Sequence, residues 1–139
     1  MPDLAAHQQR LLDVAIDTGY GRWAGVQLLE IGDGIGRIGF TIRDEMRTPW
    51  GSLNGGVITS LIEIPGFVAL LTGLGEGELP VTNDIFVQHM RPLPGDARYA
   101  LAGRVIRRGK SMAWLDVTVT AGDTTVSVAR ITKTLIRQG

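Results

Sequence analysis

The chain contains no cysteine and only two histidines, His7 and His89. Without thiols there is no disulfide scaffold, no thiolate metal site and no cysteine nucleophile, and two imidazoles are meagre material for a metal centre; no metal is expected. Neither sign of charge is in excess, since 14 Lys and Arg balance 14 Asp and Glu. A polyanion rewards clustered positive charge, so the balance speaks against a nucleic-acid partner. The opening residues, MPDLAAHQQR, show no basic stretch leading into an apolar one. No export signal is read there, and a cytoplasmic location is expected.

The sequence does have an apolar run, residues 54 to 74, long enough to demand a membrane test. It carries Glu63 and Pro65 near its centre and Asn54, Thr59, Ser60 and Thr72 besides. A carboxylate at mid-bilayer costs several kcal/mol, so the run reads as a helix buried inside a water-exposed protein. At 139 residues the chain makes one domain, 1–139, large enough for a core without staples. Its 19 glycines, about twice the usual ~7% share, predict turns and close backbone approaches.

Residues 3 to 18 read as an amphipathic helix capped by Asp3, with Leu4, Leu11, Leu12, Ala15 and Ile16 on one side and Gly19 as its stop. Extended runs follow at Trp23 to Ile31 and Gly36 to Ile42, joined by a Gly32-Asp33-Gly34 hairpin turn. Beyond the apolar helix come four more: Val81 to Met90, Ala97 to Ile106, Met112 to Ala121 and Thr125 to Ile136. Their short, turn-like connections force antiparallel pairing, because parallel neighbours need long crossovers. The fold class is therefore α+β, a curved antiparallel sheet of about six strands wrapped around one long apolar helix, with an N-terminal covering helix. A single curved sheet leaves edges uncovered, so at least a homodimer is expected.

Chemistry points to one carboxylate. Between Arg47 and Glu76 the only charged side chain is Glu63. On an apolar helix such a group is expected to suffer desolvation. Perturbed carboxylates cluster at functional sites, which makes Glu63 a candidate general base or nucleophile. The alternative is a Glu paired with an arginine or held by backbone groups at an interface. Just upstream stands Asn54-Gly55-Gly56. Glycines opening a helix leave N–H groups uncovered, suited to an oxygen that gains negative charge during acyl transfer. Asn-Gly is also a hairpin signal, but the helix-length apolar run after it disfavours a turn. Gly55 precedes Glu63 by eight residues, about two turns of helix. One helix is too long to close such a site, whereas an antiparallel helix of a second chain brings the two together.

With these residues in view, the chain resembles hotdog-fold acyl-CoA thioesterases of the phenylacetate-pathway, PaaI-like group, from about Leu29 to Thr134. The carrying segments are TPWGSLNGGVITSLIE (48–63), VTNDIFVQHMRP (81–92) and RRGKSMAWLDV (107–117). The group's pattern is N-P-x-G-x-x-H-G-G with an acid nine residues after the His, then a strand ending in R-P, then a G-K/R-S turn. The resemblance implies that Glu63 is the catalytic acid, that the Gly55 N–H polarises the thioester carbonyl, and that Thr82 helps position the attacking water. Asn54 and Thr48 stand where the group has His and Asn, and both still form hydrogen bonds. It further implies an acyl- or aryl-CoA substrate with no separate cofactor, and a homodimer or homotetramer. Gly56, Trp50 and Phe67 are candidates to line the acyl site, and Arg107, Arg108, Gly109, Lys110 and Ser111 to meet the CoA nucleotide. Pro65 leaves the Leu61 carbonyl without its helical partner and is expected to bend the helix.

The runner-up reading is a noncatalytic hotdog domain that binds acyl-CoA as a sensor or partner module. A dehydratase needs a catalytic His, and His89, on a strand beside Arg91-Pro92, reads as a packed or surface residue. Ser60 lacks the nucleophile-elbow context, and Gly32-x-Gly34-x-Gly36 is a turn rather than a nucleotide loop.

Overall fold

The computed structural model describes residues 1–138. A first helix, α1 (Ala6–Asp17), is followed by a short α2 (Gly19–Trp23). The start of α1 lies beyond Asp3, because Gln8 caps it: the Ala5 N–H donates to Gln8 Oε1 at 3.0 Å. Gly19 opens α2 instead of only closing α1, and the N–H groups of Ala24 and Gly25 bond back to Tyr20 and Arg22. The strand expected from Trp23 accordingly begins only at β1 (Gln27–Gly32). It turns into β2 (Ile35–Gly39) through Asp33 and Gly34, both at positive φ (53° and 77°), as a tight hairpin of matching twist requires.

The apolar run forms two helices, α3 (Gly55–Leu61) and α4 (Glu63–Leu71), instead of one. Ile62 separates them. Pro65 has no N–H to donate to the Leu61 carbonyl, so the ladder breaks one turn before it. Four strands complete the fold: β3 (Glu78–His89), β4 (Tyr99–Arg108), β5 (Met112–Ala121) and β6 (Thr124–Arg137). All six strands form one antiparallel sheet in the order β1-β2-β4-β5-β6-β3, leaving β1 and β3 at the edges.

The sheet wraps α4 at backbone distance. Gly36 of β2 pairs directly with Gly103 of β4, and a Cβ on either would fall within 2.7 Å of the Pro65 carbonyl oxygen. No side chain fits there, which accounts for two of the many glycines. Around this contact Ile58 and Leu61 of α3 and Ile62 at the break meet Ile38, Leu101, Leu115, Val117 and Ile131 of the sheet, each 1% exposed or less, while Leu71 of α4 packs in a second cluster with Leu12 and Ile31. No helix among the described residues is long and apolar enough to cross a membrane.

One irregularity places the site. Edge strand β3 pairs with β6 so that Thr82 faces Lys133 and Asp84 faces Thr132, with Asn83 bulged out between them. Bulges bend a strand and re-aim its side chains.

Candidate active site

Glu63 is the first residue of α4, immediately after the break at Ile62. Its Oε1 accepts a hydrogen bond from the Thr82 hydroxyl at 2.5 Å. Thr82 Oγ1 in turn accepts from Lys133 Nζ at 2.9 Å, and Nζ stands 3.9 Å from Glu63 Oε1. The three side chains come from α4, β3 and β6. The isolation of Glu63 in the sequence predicts that the carboxylate is the desolvated group. Instead the Glu63 side chain is 43% exposed and that of Lys133 only 4%. Burial pushes the Lys133 ammonium below the usual lysine range, and the Glu63 carboxylate partly restores it.

These groups line a cavity of about 560 Å³ whose other walls are apolar: Leu11, Val14 and Ala15 from α1, Ile64 and Phe67 from α4, and Leu79 to Val81 from β3. Phe67, one helical turn beyond Glu63, lies with its ring 6.0 Å from Lys133 Nζ. A polar end beside an apolar body is the architecture of a small-molecule site. It offers a carboxylate oxygen to a reacting centre and hydrocarbon to an uncharged acyl or aryl group.

A second polar locus lies at the start of α3. Asn54 caps that helix, its Oδ1 accepting from the Gly56 N–H at 2.8 Å. Beside it stands His89, at the end of β3, which the sequence alone reads as packed or superficial. Its Nδ1 bonds Ser127 Oγ at 2.7 Å, Nε2 lies 3.4 Å from Thr59 Oγ1, and a Cβ on Gly55 would sit 3.1 Å from Nε2. Neither Gly55 nor His89 lines the Glu63 cavity. Within one chain, then, the two halves of the expected site are separate.

The remaining candidates divide. Phe67 and Thr82 reach the cavity; Trp50 does not, standing 88% exposed on the turn before α3. Thr48 is occupied in that turn, its Oγ1 2.7 Å from Ser52 Oγ. In the basic turn, Arg108 is already engaged. Its guanidinium grips both oxygens of the buried Glu78 at 2.8 and 2.6 Å and also bonds the Gly73 carbonyl. Arg107 lies over the Trp114 ring at 5.3 Å, and Lys110 is exposed. Gly109 and Ser111 shape the turn, the Gly109 N–H bonding the Met112 carbonyl and the Ser111 carbonyl accepting from Leu135.

Comparison with known proteins places this architecture. No curated protein sequence matches the chain significantly. Among solved structures, a thioesterase from Haemophilus influenzae superposes with a TM-score of 0.83 at 21% identity, covering 96% of this chain and 92% of that one. A thioesterase family protein from Silicibacter pomeroyi gives 0.87 at 15% identity, covering 96% and 100%. A mutant of the phenylacetic acid degradation protein PaaI from Thermus thermophilus gives 0.73 at 18% identity, covering 81% and 95%. These likenesses establish the hotdog fold. The family model of the thioesterase superfamily matches residues 51–128, more than half of the chain and the stretch that carries Glu63, Thr82 and the basic turn. The chain therefore belongs to the thioesterase superfamily, as a thioester hydrolase of hotdog fold.

Proposed function

We propose that the protein hydrolyses an acyl- or aryl-CoA thioester to the free acid and CoA. The observation that carries this reading is the hydrogen bond from Thr82 to Glu63 at the polar end of the apolar cavity. With Oε1 occupied by Thr82, Oε2 is the oxygen that acts. As a base it takes a proton from water while the water oxygen bonds the carbonyl carbon. As a nucleophile it bonds that carbon itself, giving an anhydride that water then opens. In either course the carbonyl electron pair moves onto oxygen, returns as the C–S bond breaks, and the CoA sulfur leaves as thiolate. The Gly55 N–H at the start of α3 is the donor for the transient oxyanion, with Asn54 holding that helix end and Trp50 beside it.

Because Gly55 and Glu63 do not share a cavity in one chain, the complete site takes Gly55 from a second copy. Edge strand β3 supports such pairing, for it exposes Val81 and Phe86, with Met90 exposed just beyond its end. The active unit is a homodimer, or a homotetramer built from two such pairs, working on the cytoplasmic pool of CoA esters without a further cofactor. Thiol release measured over short, long and aromatic acyl-CoAs tests the reading. We expect one class to turn over well above the spontaneous rate; tight binding without turnover of any ester would instead support an acyl-CoA-binding module.

A further inference from the structure

We infer that Lys133 is a positioning residue for Glu63, acting through Thr82: its donor-only ammonium group holds the Thr82 hydroxyl proton on Glu63 Oε1. The inference rests on the reading that Glu63 drives thioester hydrolysis. A threonine hydroxyl has one proton and two lone pairs. An ammonium group has three protons and nothing to accept with. Lys133 Nζ at 2.9 Å therefore takes an Oγ1 lone pair, and the hydroxyl proton must point elsewhere. Glu63 Oε1 at 2.5 Å receives it. Fixing the donor on Oε1 orients the carboxylate and leaves Oε2 free toward the cavity.

The setting of Lys133 supports a role beyond folding. It occupies the inward phase of β6, with Ile131 and Leu135 two residues away on either side, and is only 3% exposed. Lysine is almost never fully buried unless paired. A buried charge costs free energy that an apolar residue of similar length would not, so packing alone is served as well by methionine. Register and bulge both serve the contact: Thr82 is the cross-strand partner of Lys133, and the bulge at Asn83 follows at once.

The same geometry makes the relay sensitive to pH. Glu63 faces Lys133 from α4; β3 presents Thr82, β5 presents Ala113 across the ladder, and α1 contributes Leu11, Val14 and Ala15. No other titratable group lines the cavity among the described residues. Burial lowers the lysine's affinity for its proton. Once deprotonated, Nζ becomes an acceptor and the Thr82 proton can turn toward it, away from Glu63. Activity then declines on the alkaline side, below the ordinary lysine range.

The test is a double-mutant cycle of Lys133→Met and Thr82→Val, read as kcat and KM across pH. Lys133→Met should keep its Tm and KM but lose kcat by about 10–100-fold, the scale for a group that orients a catalytic one. Its alkaline limb should also disappear. In the Thr82→Val background the same change should cost less than about twofold, because the residue through which it acts is gone. Equal losses in both backgrounds, or a Lys133→Met enzyme with the wild-type kcat and pH profile, would overturn the inference while leaving the Glu63 mechanism standing. A second measurement needs neither turnover nor the methionine variant: the NMR titration of Lys133 Cε. It should have its midpoint below the usual lysine value, and lower still in Glu63→Gln, where the neighbouring anion is gone. An unchanged midpoint in that variant would mean that the two groups are not coupled. Absence of any thioester hydrolysis by the wild type would overturn the functional reading, with this titration still deciding the contact.

Discussion

Gly55 and Glu63 each stand first in a helix, α3 and α4, on either side of the break at Ile62, and only Glu63 opens into the apolar cavity. Two consequences follow for assembly. On the proposed mechanism the active unit is at least a dimer, and its two chains should be able to repair each other. Glu63→Gln chains and Gly55→Val chains, each inactive as pure dimers, should regain part of the activity when refolded together, since one of the two sites in a heterodimer holds both intact residues. Verified heterodimers with no activity would show that each site draws on a single chain.

Gly55→Ala is a gentler change at the same place. Its methyl would sit 3.1 Å from His89 Nε2, so the imidazole must yield by a few tenths of an ångström. The histidine lies at a strand end and can do so, and the fold should survive with Tm within a few degrees. Alanine keeps the backbone N–H, so any fall in hydrolysis comes from the methyl crowding the approach to it; we expect a loss of about 10-fold. An unaltered kcat would show that the substrate does not pass the Gly55 Cα.

On the proposed reading the CoA nucleotide meets the basic turn, where Arg108 is held by Glu78 and the contact falls to Arg107 and Lys110. Replacing Arg107 and Lys110 together by Ala should raise KM for the CoA ester, leave kcat largely intact, and change little for a pantetheine thioester. KM of the wild type should also rise with salt, since exposed charges are screened over about 8 Å at physiological ionic strength. Equal effects on both substrates would move the nucleotide away from this turn.

Arg108 should behave differently. The Gly75 N–H and the Arg108 guanidinium hold the Glu78 carboxyl below the usual carboxylate range. A depressed carboxylate contributes stability above its unfolded pKa, near 4.3, and that contribution is lost as pH falls toward the folded value. The wild-type Tm should therefore drop on acidification below about pH 5 more steeply than that of Glu78→Gln. At pH 7, Arg108→Ala should cost about 1–3 kcal/mol by leaving a buried carboxylate half-paired. Parallel Tm curves for wild type and Glu78→Gln would contradict this role.

The later strands are legible because they are joined by short turns, and β5, which keeps a clean period of two, begins and ends at the expected Met112 and Ala121. The break in the apolar helix was foreshadowed by Pro65. The extended run expected from Trp23 starts late because local backbone bonds close a helical turn over Gly19–Trp23, which the stop signal at Gly19 does not reveal. Glu63 stands out by isolation, whereas Thr82 enters only through the family resemblance, since nothing local links residues 63 and 82. Lys133 did leave a signal: along β6 it falls in phase with Ala129, Ile131 and Leu135, where a solvated lysine would not belong. His89 could not be raised above a packed histidine until Gly55 was seen beside it.

The most direct measurement is the turnover of the best thioester by Glu63→Gln. The amide keeps the volume of the side chain and can still accept from Thr82, but it has no basic oxygen to take a proton or attack a carbonyl. We expect kcat to fall by at least ~10²-fold, with the fold and substrate affinity retained. A variant that hydrolyses the same ester at the wild-type rate would contradict the proposed mechanism at its centre.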